Sequence, residues 1–227
     1  MQDAGFVRQA FAGIAPRYVL ANHVLSLGID CLWRRVTARR VRDAEPKRIL
    51  DLATGSGDLS RAIQAACPQA RVIGADFSVT MMHEARKRGS RALIAADGLA
   101  LPVQDGVFDV LTVAFGLRNM ASWPGALREM SRVLRPGGRL FVLDFSTPRI
   151  PGIRQAYLFY LKHLMPRIAG WLTGRREAYV YLCGSIERFP SGADMEALVL
   201  ANGFATVTTT RFTFGIASLY EAQKACA

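Results

Sequence analysis

The chain is poor in the residues that hold disulfides and metals. Its 227 residues include four cysteines, none in a CxxC pair, and three histidines. A disulfide scaffold or a structural zinc site needs more of these residues at closer spacing, so the sequence predicts reduced thiols and no metal. No apolar run reaches the roughly 18–20 residues that cross a bilayer, and the first residues lack a secretory pattern. These absences predict a cytoplasmic protein.

Acidic residues are scarce beside basic ones. Asp and Glu number 18 against 29 Lys and Arg, a net charge of +11, while 51% of the residues are apolar. This apolar content excludes a disordered chain. The basic excess lies in residues 1–50 and 149–176, which are also rich in Leu, Ile and aromatic side chains. Such a mixture favours an anionic membrane surface over nucleic acid as the binding partner. The alternative interpretation is that these segments form an ordinary solvent-exposed face. A homo-oligomer also stays possible.

Short apolar runs alternate with amphipathic stretches after residue 46, which is typical of a parallel sheet covered by helices on both faces. The runs that we interpret as strands are 48–52, 71–75, 92–96, 107–114, 139–143, 205–212 and 216–222. The last two are joined by a short turn at Gly215 and should pair antiparallel. We therefore predict one Rossmann-like α/β domain with a seven-stranded, mostly parallel sheet and one antiparallel strand. Its parts are a helical cap (1–45), a core (46–148), a helical insertion (149–190) and a C-terminal part (191–227).

The turn after the first predicted strand is rich in glycine. Such a turn lets a ligand approach the backbone at the sheet edge. A dinucleotide fingerprint would place Gly or Ala where Ser60 stands, which disfavours a nicotinamide oxidoreductase. Carboxylates at successive strand ends repel a pyrophosphate but suit a sulfonium, an ammonium and ribose hydroxyls. The turn therefore predicts S-adenosylmethionine as the ligand. The expected binding residues are Asp51, Gly55, Ser56, Gly57, Asp76, Phe77, Met81, Asp97 and Gly98.

Several motifs are similar to those of one family. They are Phe11-x-x-Ile14-Ala15-x-x-Tyr18, Ala114-Phe115-Gly116-Leu117-Arg118-Asn119, Leu143-Asp144-Phe145-Ser146-x-Pro148 and Tyr179-x-Tyr181-Leu182. The chain resembles the class I S-adenosylmethionine-dependent methyltransferases and, within them, the ubiquinone/menaquinone biosynthesis C-methyltransferase family. The resemblance adds Ala114 to the expected cofactor site. The chain departs from the family at Val19, at Asp144, where Glu is usual, and at Tyr220, where His is common.

The resemblance implies methylation of a ring carbon of a prenylated quinol. Demethylmenaquinol is the favoured substrate, and the ubiquinol precursor is a further one. Another small aromatic molecule or RNA stays open as the alternative. The ring carbon becomes nucleophilic when the adjacent hydroxyl loses its proton. Arg118 and Asn119 are the candidates for stabilising the resulting phenolate.

The resemblance also places other residues at the substrate. Tyr18 is a candidate catalytic residue and, with Asn22, a candidate for orienting the ring; Phe115 and Tyr160 are further expected contacts. His23 and His163 are possible proton acceptors. Residues 17–35 and 152–172 are expected to form a lid and a channel for the prenyl tail at the membrane surface, and Pro166 is expected to kink or end a helix in that segment.

Overall fold

The sheet of the computed structural model has seven strands, and the model describes residue 26, residues 28–173 and residues 176–226. Tyr18, Val19, Asn22 and His23 lie outside the described residues. The strands are β1 (Arg48–Leu52), β2 (Arg71–Asp76), β3 (Leu93–Ala95), β4 (Phe108–Ala114), β5 (Leu134–Phe145), β6 (Thr206–Phe212) and β7 (Ala217–Gln223). The helices of the core are α1 (Ile29–Arg42), α2 (Asp58–Ala66), α3 (Val79–Lys87) and α4 (Trp123–Val133). The insertion contributes α5 (Pro151–Phe159), a π-helical turn (Tyr160–Leu164), α6 (Met165–Thr173) and α7 (Arg176–Arg188), and α8 (Ala193–Leu200) follows it.

The strand order is β3-β2-β1-β4-β5-β7-β6. Strands β1 to β5 pair in parallel, and β7 is antiparallel to both of its neighbours. The predicted mostly parallel sheet with one antiparallel strand is therefore confirmed. The order reverses between β1 and β4, and the carboxyl ends of the strands at such a point form a crevice.

The central strands are buried on both faces, as the apolar runs predicted. All of β1 after Arg48 is buried, and so is most of β4 and β5. One face packs on α4 and α8 and the other on α1 and α2. Strand β5 begins at Leu134, earlier than the predicted 139, because Leu134 pairs with Phe108 across a bulge before the regular register resumes.

The insertion continues as a helix through Pro166. Of the two expected outcomes, a kink or an end, the end does not occur, but the regular α-helical pattern is interrupted by a π-helical turn directly before Pro166. Proline lacks an N–H, which is harmless in the first turn of a helix. Pro166 is the second residue of α6, and the π-helical turn precedes it directly. Among the residues that the structure describes, no helix is both long enough and apolar enough to cross a membrane.

Candidate cofactor and substrate site

A cavity of about 730 Å³ opens at the carboxyl ends of β1 to β4, within the roughly 300–1,000 Å³ of small-molecule sites. One end is polar and lies against the loops that follow the strands. The other end lies against the insertion and is apolar. The apolar end is lined by Ile153, Ala156, Tyr157, Tyr160, Leu161, Met165, Ile168 and Leu182.

The cavity brings together most of the residues that the sequence nominated. The nominated residues along its wall are Asp51, Gly55, Ser56, Asp76, Phe77, Met81, Asp97, Gly98, Ala114, Phe115, Arg118, Asn119 and Tyr160. These residues come from four separate strand ends and from the insertion. Their convergence supports one site with two ends. We call the polar end the donor end, for the methyl donor, and the apolar end the acceptor end, for the methyl acceptor.

Gly57 is the exception among the nominated glycines. It lies outside the cavity lining and packs against α3. A Cβ atom there would lie 2.4 Å from Oγ of Ser90 and 3.3 Å from Cβ of Ala85, and its φ of 78° is left-handed. The glycine is therefore required for the turn and for close helix packing, and its role as a cofactor contact stays a prediction.

His163 is also misplaced by the sequence reasoning. Its side chain is exposed, contacts the ring of Phe159 at 5.0 Å between centroids, and lies outside the cavity lining. A proton acceptor must be within hydrogen-bond reach of the substrate hydroxyl or one water away. The structure therefore removes His163 as a candidate.

Part of the negative charge at the polar end of the cavity is neutralised by neighbouring arginines, which the sequence did not suggest. Asp58 forms ion pairs with Arg61 at 2.9 Å and with Arg88 at 2.8 Å, and it accepts a hydrogen bond from Ser56. Burial raises the pKa of Asp58, but the Ser56 hydrogen bond and the charges of Arg34 and Arg88 outweigh it and hold the pKa below its usual range. Asp58 thus contributes little net negative charge, and the acidic character comes from the other carboxylates.

Asp51 organises the glycine-rich turn from inside the core. Its Oδ2 accepts hydrogen bonds from Thr54 at 2.8 Å and Ser60 at 2.6 Å, and its Oδ1 accepts one from Thr112 at 2.6 Å. Ser60, which breaks the dinucleotide pattern, is therefore part of the support for the turn. Burial raises the pKa of Asp51 above its ordinary value, against those three hydrogen bonds.

Asp51→Asn should flatten the pH dependence of stability. Because the folded-state pKa of Asp51 is raised, the unfolded chain ionises first, and stability is lost as pH rises from about 4 through the raised value. Asparagine does not ionise, so the variant escapes this loss. Between pH 4 and the raised pKa, its free energy of unfolding should rise relative to that of wild type. Urea denaturation between pH 4 and 8 measures this difference.

Asp109→Asn is the matched control with the opposite sign. Burial raises the Asp109 pKa, but hydrogen bonds from the N–H groups of Arg48 and Lys47 and contact with Arg135 lower it overall. Its stabilisation is lost as pH falls below about 4, so for this variant the urea denaturation series is extended below pH 4. If Asp51→Asn left the wild-type profile unchanged, the buried carboxyl would not be its source.

Asp76 has the geometry expected for binding ribose hydroxyls. Its Oδ2 accepts a hydrogen bond from the N–H of Gly55 at 2.7 Å, and its Oδ1 accepts one from Ser78 at 2.8 Å. Each carboxylate oxygen can accept a second hydrogen bond. Met81, 3% exposed, and the backbone of Gly98 form neighbouring walls. These residues fit a nucleoside, and the apolar wall beside them fits S-adenosylmethionine better than a second phosphate-bearing half.

Two loops meet tightly between the donor and acceptor ends. Ala53 and Phe115, which follow β1 and β4, both have left-handed φ angles, of 53° and 58°. A Cβ atom on Gly116 would lie 2.4 Å from Cβ of Ala53. Only glycine allows this approach, so Gly116 sets the spacing of the two loops.

Arg118 lies at the acceptor end in a buried ion pair that the sequence did not reveal. It is 1% exposed, and its Nη1 donates to Asp144 Oδ1 at 2.7 Å and to the carbonyl of Phe115 at 2.7 Å. Asp144 is fully buried, its Oδ1 also accepts from the N–H of Phe145, and burial raises its pKa against the charge of Arg118. Within the described residues, Asp144 Oδ2 has no hydrogen-bond partner. The pair fixes where the guanidinium points.

The sequence analysis did not single out several residues of the cavity wall, although four of them fall within residues 17–35 and 152–172. From α1, the structure adds Asp30, Trp33 and Arg34, and from β5 and the insertion it adds Phe145 and Tyr157. Trp33 Nε1 donates a hydrogen bond to Thr213 at 3.0 Å, and this contact fixes α1 over the site.

Tyr220, one departure from the family pattern, has a structural role. Its hydroxyl accepts a hydrogen bond from the N–H of Gly192 at 2.9 Å, where the insertion returns to the core. Tyr220 lies outside the cavity lining, so the departure does not alter the described part of the site.

Two proteins of known name are similar in sequence to this chain over nearly its whole length. A demethylmenaquinone methyltransferase from Thermus thermophilus is 44% identical over 215 residues, covering 92% of this chain and 97% of the relative. A ubiquinone/menaquinone biosynthesis C-methyltransferase UbiE from Syntrophotalea carbinolica is 42% identical, with 94% and 92% covered.

A solved structure from Thermotoga maritima, described as an S-adenosylmethionine-dependent methyltransferase and possible histamine N-methyltransferase, shares the fold. It superposes with a TM-score of 0.66 at 16% identity, covering 95% of this chain and 99% of that one. The model of the ubiE/COQ5 methyltransferase family matches residues 1–224. The chain therefore belongs to the ubiE/COQ5 methyltransferase family and is, as its sequence predicted, an S-adenosylmethionine-dependent methyltransferase.

Proposed function

We propose that this protein methylates a ring carbon of a prenylated quinol, with demethylmenaquinol as the favoured substrate and the ubiquinol precursor as a further one. The observation that carries the proposal is the continuous cavity, which joins the acidic strand ends to an apolar chamber in the insertion. The relatives' names, demethylmenaquinone methyltransferase and UbiE, support the same substrate class.

The donor end would hold S-adenosylmethionine, which supplies an electrophilic methyl group when bound. Asp76 would accept hydrogen bonds from the ribose hydroxyls, and Asp97 and Gly98 would flank the adenine. Met81 would pack against the adenine ring. Gly55 and Ser56 would bound the amino-acid part from the glycine-rich turn. These roles use the side chains and backbone that line the polar end.

The acceptor end would hold the quinol ring beside Arg118 and Asn119. By strand order, the loop after β4 lies between the acidic ends of β1 to β3 and the insertion that follows β5. Arg118 would stabilise the phenolate, and Asp144 would orient its guanidinium. Tyr160, Leu161 and the other apolar residues of the insertion would exclude water and shelter the start of the prenyl tail.

Methyl transfer from labelled S-adenosylmethionine tests this proposal. Reduced demethylmenaquinol, its oxidised quinone, the benzoquinol precursor and RNA would be offered side by side. We expect label on the reduced prenylated quinol and none on the quinone, whose ring has no hydroxyl to deprotonate. Label on RNA alone, or on none of the four, would overturn the substrate assignment.

We also propose that the insertion contacts an anionic membrane surface, because a prenylated quinol resides in the bilayer. Phe159 is 58% exposed and Leu164 is 42% exposed, beside the exposed cations Arg154, Lys162 and Arg167. Apolar groups inserted at the interface and cations near lipid phosphates, each worth about 1 kcal/mol, would act together.

Phe159→Glu/Leu164→Glu should abolish sedimentation with vesicles that contain anionic lipid. The substitutions replace two exposed apolar side chains with charges of the repelled sign, so the fold should persist. Leu200→Glu, at a residue 45% exposed on α8 and outside the insertion, is the control and should still sediment. If wild type itself stays in the supernatant, the membrane proposal fails.

A further inference from the structure

We propose that Arg34, held by Asp30, binds the carboxylate of the amino-acid part of S-adenosylmethionine. The inference rests on the proposed donor end and deepens it, because the sequence motif named no partner for that carboxylate. The two residues are one helical turn apart on α1, and both line the cavity.

The pair is built into the helix rather than formed between mobile surface side chains. Asp30 is 3% exposed, accepts a hydrogen bond from Ser26 at 2.7 Å and forms an ion pair with Nη1 of Arg34. The Arg34 side chain is 14% exposed, and its guanidinium lies 5.1 Å from the centroid of the Phe115 ring. Asp30 and Phe115 together hold the guanidinium in one place, which reduces the entropy lost when a ligand binds.

Arg34 faces the glycine-rich turn. Its charge acts on Asp58 and Asp51, since it is among the influences that lower the pKa of each against burial. Asp51 lies near the end of β1 and Asp58 is the first residue of α2, so the two carboxylates flank the turn. The guanidinium therefore lies at the β1 and β4 part of the crevice, away from β3.

The direction of the ligand follows from the strand order. Asp76 and Asp97 follow β2 and β3, so a nucleoside bound there leaves the amino-acid part over β1 and β4. A ligand carboxylate over β1 and β4 would lie beside the acidic Asp51, so it needs a cation next to it. Arg34 supplies that cation, and its fork of donors suits a carboxylate. Within the described residues, Nη1 is the one nitrogen of the Arg34 guanidinium that donates a hydrogen bond. Nε and Nη2 can therefore donate to the ligand.

Arg118 is the other arginine in the lining, but its position suits the acceptor end. Its Nη1 is engaged by Asp144 and by the carbonyl of Phe115, and the guanidinium lies 5.3 Å from the ring of Phe145 on the β5 side. The two arginines thus lie at different ends of the cavity. Arg34 serves the donor, and Arg118 serves the acceptor.

Calorimetric titration with two ligands tests the assignment. Arg34→Gln should bind S-adenosylmethionine about 10- to 100-fold more weakly than wild type does, as expected for loss of a charged hydrogen bond. Decarboxylated S-adenosylmethionine lacks only the carboxylate, so its dissociation constant should change less than about 3-fold. Equal losses for both ligands would overturn the proposal.

Three further variants separate binding from folding. Arg39→Gln removes the same charge from an exposed residue of α1 and should leave both affinities at the wild-type value. Arg34→Lys keeps the charge without the fork and should give an intermediate loss for S-adenosylmethionine alone. Asp30→Asn/Arg34→Gln leaves no unpaired buried charge. If that variant, folded by circular dichroism, binds S-adenosylmethionine like wild type, the assignment is wrong.

The proposed function can fail separately. Wild type that binds S-adenosylmethionine but methylates no quinol would refute the substrate class and leave the Arg34 assignment standing. Wild type that methylates quinol, with Arg34→Gln losing affinity equally for both ligands, would refute the assignment alone.

Discussion

Asp144→Asn should destabilise the protein by about 3–5 kcal/mol, the usual result of removing one partner from a buried ion pair. Arg118 is 1% exposed and Asp144 is fully buried, so the variant leaves an uncompensated guanidinium in the core. If Arg118 stabilises the phenolate as proposed, methyl transfer should also fall on the order of 100-fold, because the guanidinium is no longer held in place by Asp144. Urea denaturation and turnover of reduced demethylmenaquinol measure the two effects.

Two variants separate the ion pair's structural and catalytic roles. Arg118→Met/Asp144→Leu removes both charges and should recover most of the lost stability without recovering activity, since apolar pairs often replace buried ion pairs at little cost. Asp144→Glu retains the charge and should retain more of both properties than Asp144→Asn. If the double variant were as unstable as the single one, the uncompensated charge would not explain the loss.

Gly116→Ala should damage the site through a steric clash alone. The new Cβ would lie 2.4 Å from Cβ of Ala53, which the backbone fixes in place, and 3.3 Å from a methyl of the buried Val113. The φ of Gly116 is −110°, so backbone strain does not contribute. We expect a loss of about 1–3 kcal/mol of stability from overpacking. Displacement of the loops that carry Gly55 and Arg118 should lower kcat/KM on the order of 100-fold.

Gly184→Ala is the matched control for the same substitution. Its Cβ would meet only the side chain of Arg188 at 3.6 Å or more, within α7. Alanine in a helix interior is about 0.5–1 kcal/mol better than glycine, so this variant should be neutral or slightly stabilised. Normal stability and kcat/KM in Gly116→Ala would show that the two loops can separate without consequence.

The sequence by itself determined the element order and the chemistry of the donor end. Apolar runs such as 107–114 predicted buried strands because parallel strands covered on both faces need continuous apolar residues. Ser78 precedes α3 and is a residue type favoured at helix N-caps, and its Oγ accepts a hydrogen bond from the N–H of Met81 at 3.4 Å. Asp76 and Asp97 could be predicted to lie together because the carboxyl ends of neighbouring parallel strands must converge, and both line the cavity.

Only the tertiary structure decided which of those residues line the cavity. Gly57 belongs to the same motif as Gly55 but faces α3, and His163 faces outward from the insertion. The Arg118–Asp144 pair joins residues 26 positions apart. Arg34 reaches the turn after β1 only because α1 packs over it. Local sequence specifies turns and strands through short-range sterics and burial, whereas the direction of a side chain depends on neighbours that are distant in the chain.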